Sequence, residues 1–465
     1  MAKILIALLY MAAILVIGLI AGRKVKTADD FATANHSIPF WTNVYSMSSA
    51  WIGAGATLGC ASMCYAYGVA GFYLAISVGI GAIVASLLFS KKIREANVTT
   101  IPELIRNNLG KRVAAWISLL AIFQVFSIAA SQIRSLGTIL EMFIPSLDLL
   151  TAIIIMTIVM LLYTVVGGMV AATRTDKLNI SLMVMSVMVI IPAIALFKAG
   201  GLSGFVHKVD PSFLTTSKIS VGVMISSGLY FCTSNMLNSE NFLRVCGARS
   251  AQEARNASLT STFLIYIPYL LFASFAGLMG LVLVKDLGTS DSILPAMINT
   301  LTGSVLGAVL LAALLAAVMG TAASVTMLTS VMVTRDVICR IKPVEGKKLL
   351  NLQRIVMVCV AAAGVIVGYS GSSIVSIMED VGAPCGAALV PIFFGIFFWR
   401  KRMNEKGTLI TIIVAIVSTL GYWALGSPLK ISHFLFGFIC STITMFIANA
   451  AFYKGEVKAE RGVAQ

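Results

Sequence analysis

Charge is scarce in this chain. Asp, Glu, Lys and Arg make up 11% of its 465 residues, against about 25% in an ordinary soluble domain. Together with 58% hydrophobic residues and a strongly positive mean hydropathy, that scarcity excludes a soluble globular domain and puts the chain in lipid. Histidine is scarcer still. His36, His207 and His433 all lie near the ends of apolar stretches, so no nucleophile and base can be assembled around them, and an enzyme finds no support. The eight cysteines form no CxxC pair and no cluster with metal-ligand spacing, and they read as small hydrophobes. Long polar segments are missing too. The longest connections, 200–216 and 286–303, have room for at most a surface helix each, so the work of the protein falls within the membrane.

What the chain has is apolar length. A bilayer core of about 30 Å needs about 20 helical residues, and stretches of that kind run at 3–21, 37–64, 69–90, 113–142, 148–170, 177–199, 217–237, 256–285, 304–334, 350–370, 377–399, 406–426 and 430–452. The first is too long for a signal peptide, and its basic cluster Arg23, Lys24 and Lys26 follows it instead of preceding it. It is read as a retained span with the N-terminus outside.

The net charge of +15 does not form one basic patch, which argues against nucleic acid. Alternate connections carry it: Lys91, Lys92, Arg94, Arg106, Lys111 and Arg112; Arg174 and Lys177; Arg244, Arg249 and Arg255; Arg335, Arg340, Lys342, Lys347 and Lys348; Arg400, Lys401, Arg402 and Lys406. The opposite side keeps little beyond Lys198, Lys208, Lys218, Lys285 and Lys430. Because cytoplasmic loops are the basic ones, thirteen spans follow, with the C-terminus cytoplasmic and the chain multi-pass in the cell membrane.

Two spans are expected to be discontinuous. SMSSAWIGAGATLGCAS (46–62) sets Gly53, Gly55 and Gly59 among hydroxyls, and SSGLYFCTSNMLNSEN (226–241) loads Ser, Thr and Asn into an apolar stretch. Small residues also serve close helix packing, so either segment alone is ambiguous. Their spacing is not: they lie five spans apart, and a repeat of five spans sits upside down relative to its copy, as in transporters whose broken helices hold substrate at the midplane. The reading is one all-α transmembrane transporter domain over 1–465, with an extra helix at 3–21, inverted repeats at 37–199 and 217–399, and two further helices at 406–452. No obligate protein partner is implied; the partners are the bilayer and a small-molecule substrate.

Polar residues inside spans are functional candidates. Arg134 is the one basic residue well within an apolar stretch and suits a substrate carboxylate bidentately; snorkelling or pairing with Glu141 are its alternatives. Gln132 is beside it, and Gln124 lies near mid-span. No carboxylate lies at the middle of a span, which argues against a proton relay.

Several segments, in order, resemble the sodium/solute symporter family, which includes the sodium/proline and sodium/glucose transporters: DDFATANHSIPFW (29–41), TTIPELIRNNLGKR (99–112), YTVVGGMVAATRTDKLN (163–179), LLAALLAAVMGTAASVTMLTSVMVTRD (310–336) and GIFFWRKRMNEKGTL (395–409). The resemblance covers almost the whole chain and implies a LeuT-like five-plus-five inverted repeat of about thirteen transmembrane helices. It also implies a sodium ion as the coupling ion, with no other cofactor, held by carbonyls of Ser49, Ile52 and Ala317 and by side chains at 320 and 321. Position 321 is Thr, as the family has it; position 320 is Gly where the family usually has Ser, so a ligand is lost, for which water, Ser48, Ser49 or Ser324 could substitute. Asp176 resembles a family acidic residue on the cation exit route and, with Ser324, part of a second sodium site; pairing with Arg174 or Lys177 is the alternative. Trp51 stands where some members have a polar or acidic residue, Phe231 where members place a ring against substrate, and Asn235 one turn later.

The expectation is cation-coupled symport of a small polar solute by alternating access, bound near Trp51, Gly53, Gln124, Arg134, Phe231 and Asn235. Half-helix N-termini and Arg134 favour a carboxylate or amino acid. Gly320 and Trp51 keep open a sodium-independent carrier, proton-coupled or facilitative. A channel or membrane enzyme is the alternative of another class.

Overall fold

The structure is a computed structural model that describes residues 39–453 apart from 97, 99, 145, 286, 429 and 430, together with Ala12 and Val16. Residues 163, 166–178 and 304 are described by backbone alone. The span expected at 3–21 therefore lies outside the described residues.

The helices start where short polar side chains can take up free backbone N–H groups. Thr100 accepts from Glu103 N at 3.2 Å with Pro102 in the first turn, Asn238 from Asn241 N at 2.8 Å, and Ser373 forms a reciprocal pair with Ser376, each satisfying donors that the helix itself cannot. In chain order the helices are α1 (Phe40–Trp51), α2 (55–67), α3 (72–95), α4 (Ile101–Leu109), α5 (Lys111–Phe143), α6 (149–199), α7 (Gly201–Lys208), α8 (Val221–Met236), α9 (Ser239–Cys246), α10 (Ala251–Leu283), α11 (Ile293–Leu301), α12 (304–341), α13 (Gly346–Ser370), α14 (Ile374–Phe398), α15 (Glu405–Ala424) and α16 (His433–Ala451). Among the described residues, nine helical segments are long and apolar enough to cross a membrane.

Helix α12 is the axis of the bundle, with 83% of its apolar window buried against 28% for α13 and 33% for α16. Its LLAALLAAVMGTAASVT run is so rich in Ala and Gly that neighbours approach closely. Helices α5 and α6 lie on it, α14 packs on α5, α8 lies against α3 and α14, and α15 and α16 pair with each other at the edge beside α14. Large side chains such as Ile155, Leu162, Ile225, Phe263, Ile366 and Val417 face outward, as they do when the solvent is hydrocarbon.

Both expected discontinuities are present. α1 stops at Trp51 and helix resumes at Ala54; α8 stops at Met236 and α9 begins at Ser239. Three details differ from the sequence expectation. The seventh span does not end at 237 but continues beyond its break through α9, because Asn238 caps a new helix there. The 286–303 connection holds α11, whose Ile293, Leu294 and Met297 are fully buried, so it is an inserted plug and not a surface helix. The connection expected at 171–176 is helical backbone.

Candidate functional site

The first break is enforced by side chains from two other helices. Ile52 takes an extended conformation (φ −90°, ψ 97°), and the backbone N–H of Ala54 donates to Gln132 Oε1 of α5 at 2.8 Å, replacing a helical bond. A Cβ at Gly53 would overlap Gln132 Nε2 and come 3.1 Å from Thr321 Cγ2, so a larger residue there would have to push aside the Gln132 amide that holds the Ala54 N–H.

Carbonyls at the end of α1 and one of α12 meet one hydroxyl. Thr321 Oγ1 lies 3.1 Å from Ile52 O, 3.3 Å from Ala317 O and 3.5 Å from Ser49 O. One hydroxyl hydrogen cannot serve three acceptors, so this is a concentration of buried hard oxygens of the kind that suits a small cation. Ser324, one turn further along α12, is buried as well. Ser48 is committed elsewhere, to Ser261 Oγ at 2.8 Å and Val44 O at 2.9 Å. Gly320 faces Asn179 of α6. The side chain of Asp176 lies outside the described residues.

Next to this cluster is a cavity lined by Trp51, Gly53, Gln132, Phe231, Ser234, Asn235, Tyr266 and Thr321, among others. Trp51 stacks on Tyr266 with ring centroids 5.2 Å apart and planes 22° apart. Its Nε1 is buried without a hydrogen-bond partner, an arrangement that costs free energy until an acceptor arrives. Asn235 Nδ2 donates to Val78 O at 3.0 Å. Among the described residues, none lining the cavity is charged.

Of the expected substrate contacts, Trp51, Gly53, Phe231 and Asn235 come together here, whereas Gln124 and Arg134 do not line the cavity. Gln124 Nε2 donates to Ser234 Oγ, a lining residue, at 2.8 Å. Arg134 is buried, and its close ion pair is with Asp291 and not Glu141: its Nε lies 3.7 Å from Asp291 Oδ2, and it donates to Gly368 O and Ser372 O. Asp291 is buried and accepts from Ser62 Oγ at 3.0 Å and Ile374 N at 2.9 Å. Burial still outweighs these contacts and holds its carboxyl above the usual range. Arg134 is thus the hub of a junction joining α5, α13 and the segment before α11.

Arg244, which sequence reading placed in a basic loop, is another buried residue. It donates from Nε to Ser46 Oγ at 2.9 Å and pairs with Glu240 at 3.4 Å, tying α9 to α1. Sequence reasoning named Gln132 only as the neighbour of Arg134 and named neither Tyr266 nor Asp291. A polar or aromatic residue in a span signals interest, but which face it takes depends on the tertiary packing.

Comparison with known proteins bears on the family and the fold. The sodium:solute symporter family matches residues 31–415. The high-affinity proline transporter PutP of Bacillus subtilis (strain 168) is 23% identical over 94% of this chain and 95% of its own length. The sodium/glucose cotransporter 1 of Oryctolagus cuniculus is 22% identical over 87% and 69%. The substrate-bound outward-open structure of a Na+-coupled sialic acid symporter superposes with a TM-score of 0.80 at 19% identity, covering 97% of both chains, and Mhp1 in a closed conformation with 0.61 at 13% identity, covering 90% of this chain and 94% of its own. A fold shared at that level, with paired broken helices around a carbonyl cluster, is LeuT-like, and the chain belongs to the sodium:solute symporter family.

Proposed function

We propose that this protein carries a small polar organic solute across the cell membrane together with a sodium ion, the ion lodging among the carbonyls of Ser49, Ile52 and Ala317 and the Thr321 hydroxyl. The convergence of three carbonyl oxygens on one hydroxyl carries this reading. Sodium is a co-substrate here. Bound at that point, it would hold α1 at its break against α12, and the same break contributes Gly53 to the solute cavity, so ion and solute binding act on one structural element.

The solute would lie against Trp51, Tyr266 and Phe231, with its accepting group toward the unpaired Trp51 Nε1–H and the Gln132 side-chain amide. The Trp51 donor without a partner favours a carboxylate or a comparable acceptor, which fits an amino acid or small organic acid, and the uncharged lining leaves charge recognition to N–H groups and helix dipoles. The N-terminus would lie outside and the C-terminus in the cytoplasm, as the basic connections imply.

Uptake of radiolabelled amino acids and small carboxylates into proteoliposomes, with and without an inward sodium gradient at fixed pH and voltage, tests the proposal. Accumulation should require sodium. Equal uptake without it would favour the sodium-independent carrier.

A further inference from the structure

We infer that Asn179 is a ligand of the coupling cation, its carboxamide oxygen reaching the carbonyl cluster through the notch that Gly320 leaves in α12. The inference rests on the cation reading above and names a side chain that reading does not include.

Helix α6, which carries Asn179, packs on both α1 and α12, the two helices that supply the carbonyls. Asn179 is 3% exposed, and its Oδ1 is buried with no hydrogen-bond partner. An amide oxygen in that state is unfavourable in a dry interior, and a cation satisfies it. A Cβ built at Gly320 would lie 3.0 Å from Asn179 Nδ2, so the carboxamide fills the space into which a side chain at 320 would project. Half a turn about χ2, a broad two-fold torsion, exchanges Nδ2 for Oδ1 and turns the unpaired oxygen toward α12. Gly320 precedes Thr321 in the same helical turn as the Ala317 carbonyl, so the notch opens beside the cluster. Ser48, one alternative, is held by Ser261 and Val44, so its hydroxyl is committed elsewhere.

The test is sodium binding by the purified full chain in lipid nanodiscs, read as 22Na+ binding and as the sodium-dependent shift in unfolding temperature. Asn179→Ala should raise the half-saturating sodium concentration about tenfold, equivalent to the loss of one good ligand. Gly320→Ser alone pushes the carboxamide aside while adding a hydroxyl, and should change sodium affinity less than about threefold, but in the Asn179→Ala background it should restore most of the loss. The isosteric Asn179→Asp should tighten binding. Unchanged affinity in Asn179→Ala, with Thr321→Ala weakened, overturns the role of Asn179. Should Asn179→Ala fail to fold, unchanged affinity in Asn179→Asp overturns it equally. Wild-type protein that binds no sodium overturns the cation reading itself, and this inference with it.

Discussion

Thr321 Oγ1 and the carbonyl oxygen of Ile52 lie 3.1 Å apart across 269 positions of sequence. One belongs to an unbroken helix and the other to the point where a helix stops, and the pairing depends on both. An intact helix through Ile52 would have spent that carbonyl on its own ladder, and an α12 rotated by one residue would have offered a methyl group.

Thr321→Ala removes the hydroxyl and leaves the carbonyls. Half-saturating sodium for uptake should rise about tenfold, with little change in maximal rate once sodium saturates. Sodium titrations of initial uptake check this; an unaltered sodium requirement would mean the cluster is not the coupling site.

Trp51→Phe keeps a ring to stack on Tyr266 but deletes the unpaired indole N–H. The solute KM should rise about tenfold while the sodium requirement stays put. Parallel solute and sodium titrations separate the two, and a change confined to sodium would contradict the placement of the solute.

Gly53→Ala inserts a methyl group into the Gln132 amide. Overpacking of this kind costs about 1–3 kcal/mol, and displacing Gln132 also frees the Ala54 N–H. Transport should be lost. Gly53→Ala/Gln132→Ala should regain part of the thermal stability, as measured by unfolding in detergent, because the clash is gone.

Arg134→Met strands a buried carboxylate on Asp291 and should cost about 3–5 kcal/mol of stability. Adding Asp291→Asn removes the stranded charge and should recover much of that loss. In the double variant the solute KM should stay within about twofold of wild type, since neither residue lines the cavity. A large rise in KM with unchanged stability would instead return Arg134 to the binding site.

Much of the fold was legible beforehand, and for identifiable reasons. Apolar length reports on lipid residue by residue, without reference to any partner. The two breaks were legible because Gly and hydroxyl residues crowd where a helix in lipid would otherwise be unbroken. The continuation of the seventh span through α9 was missed because Glu240 and Arg244 look like loop residues until they are seen neutralising each other inside the protein. α11 was missed because its burial comes from neighbours distant in sequence.

At the site, Ser49, Ile52, Ala317 and Thr321 were named by resemblance and the structure brings them together. Arg134 was named from its chemistry alone, and the structure commits it to Asp291, 157 positions away. Composition, hydropathy and glycine placement determined that this chain spans a membrane many times and where its helices give way, since those are local consequences of putting a backbone in hydrocarbon. Which polar groups end up facing the cavity, which satisfy one another, and that the Asn179 carboxamide fills the space beside Gly320 were decided only in the tertiary structure, because burial and hydrogen-bond partnership are properties of pairs of residues that sequence distance does not report.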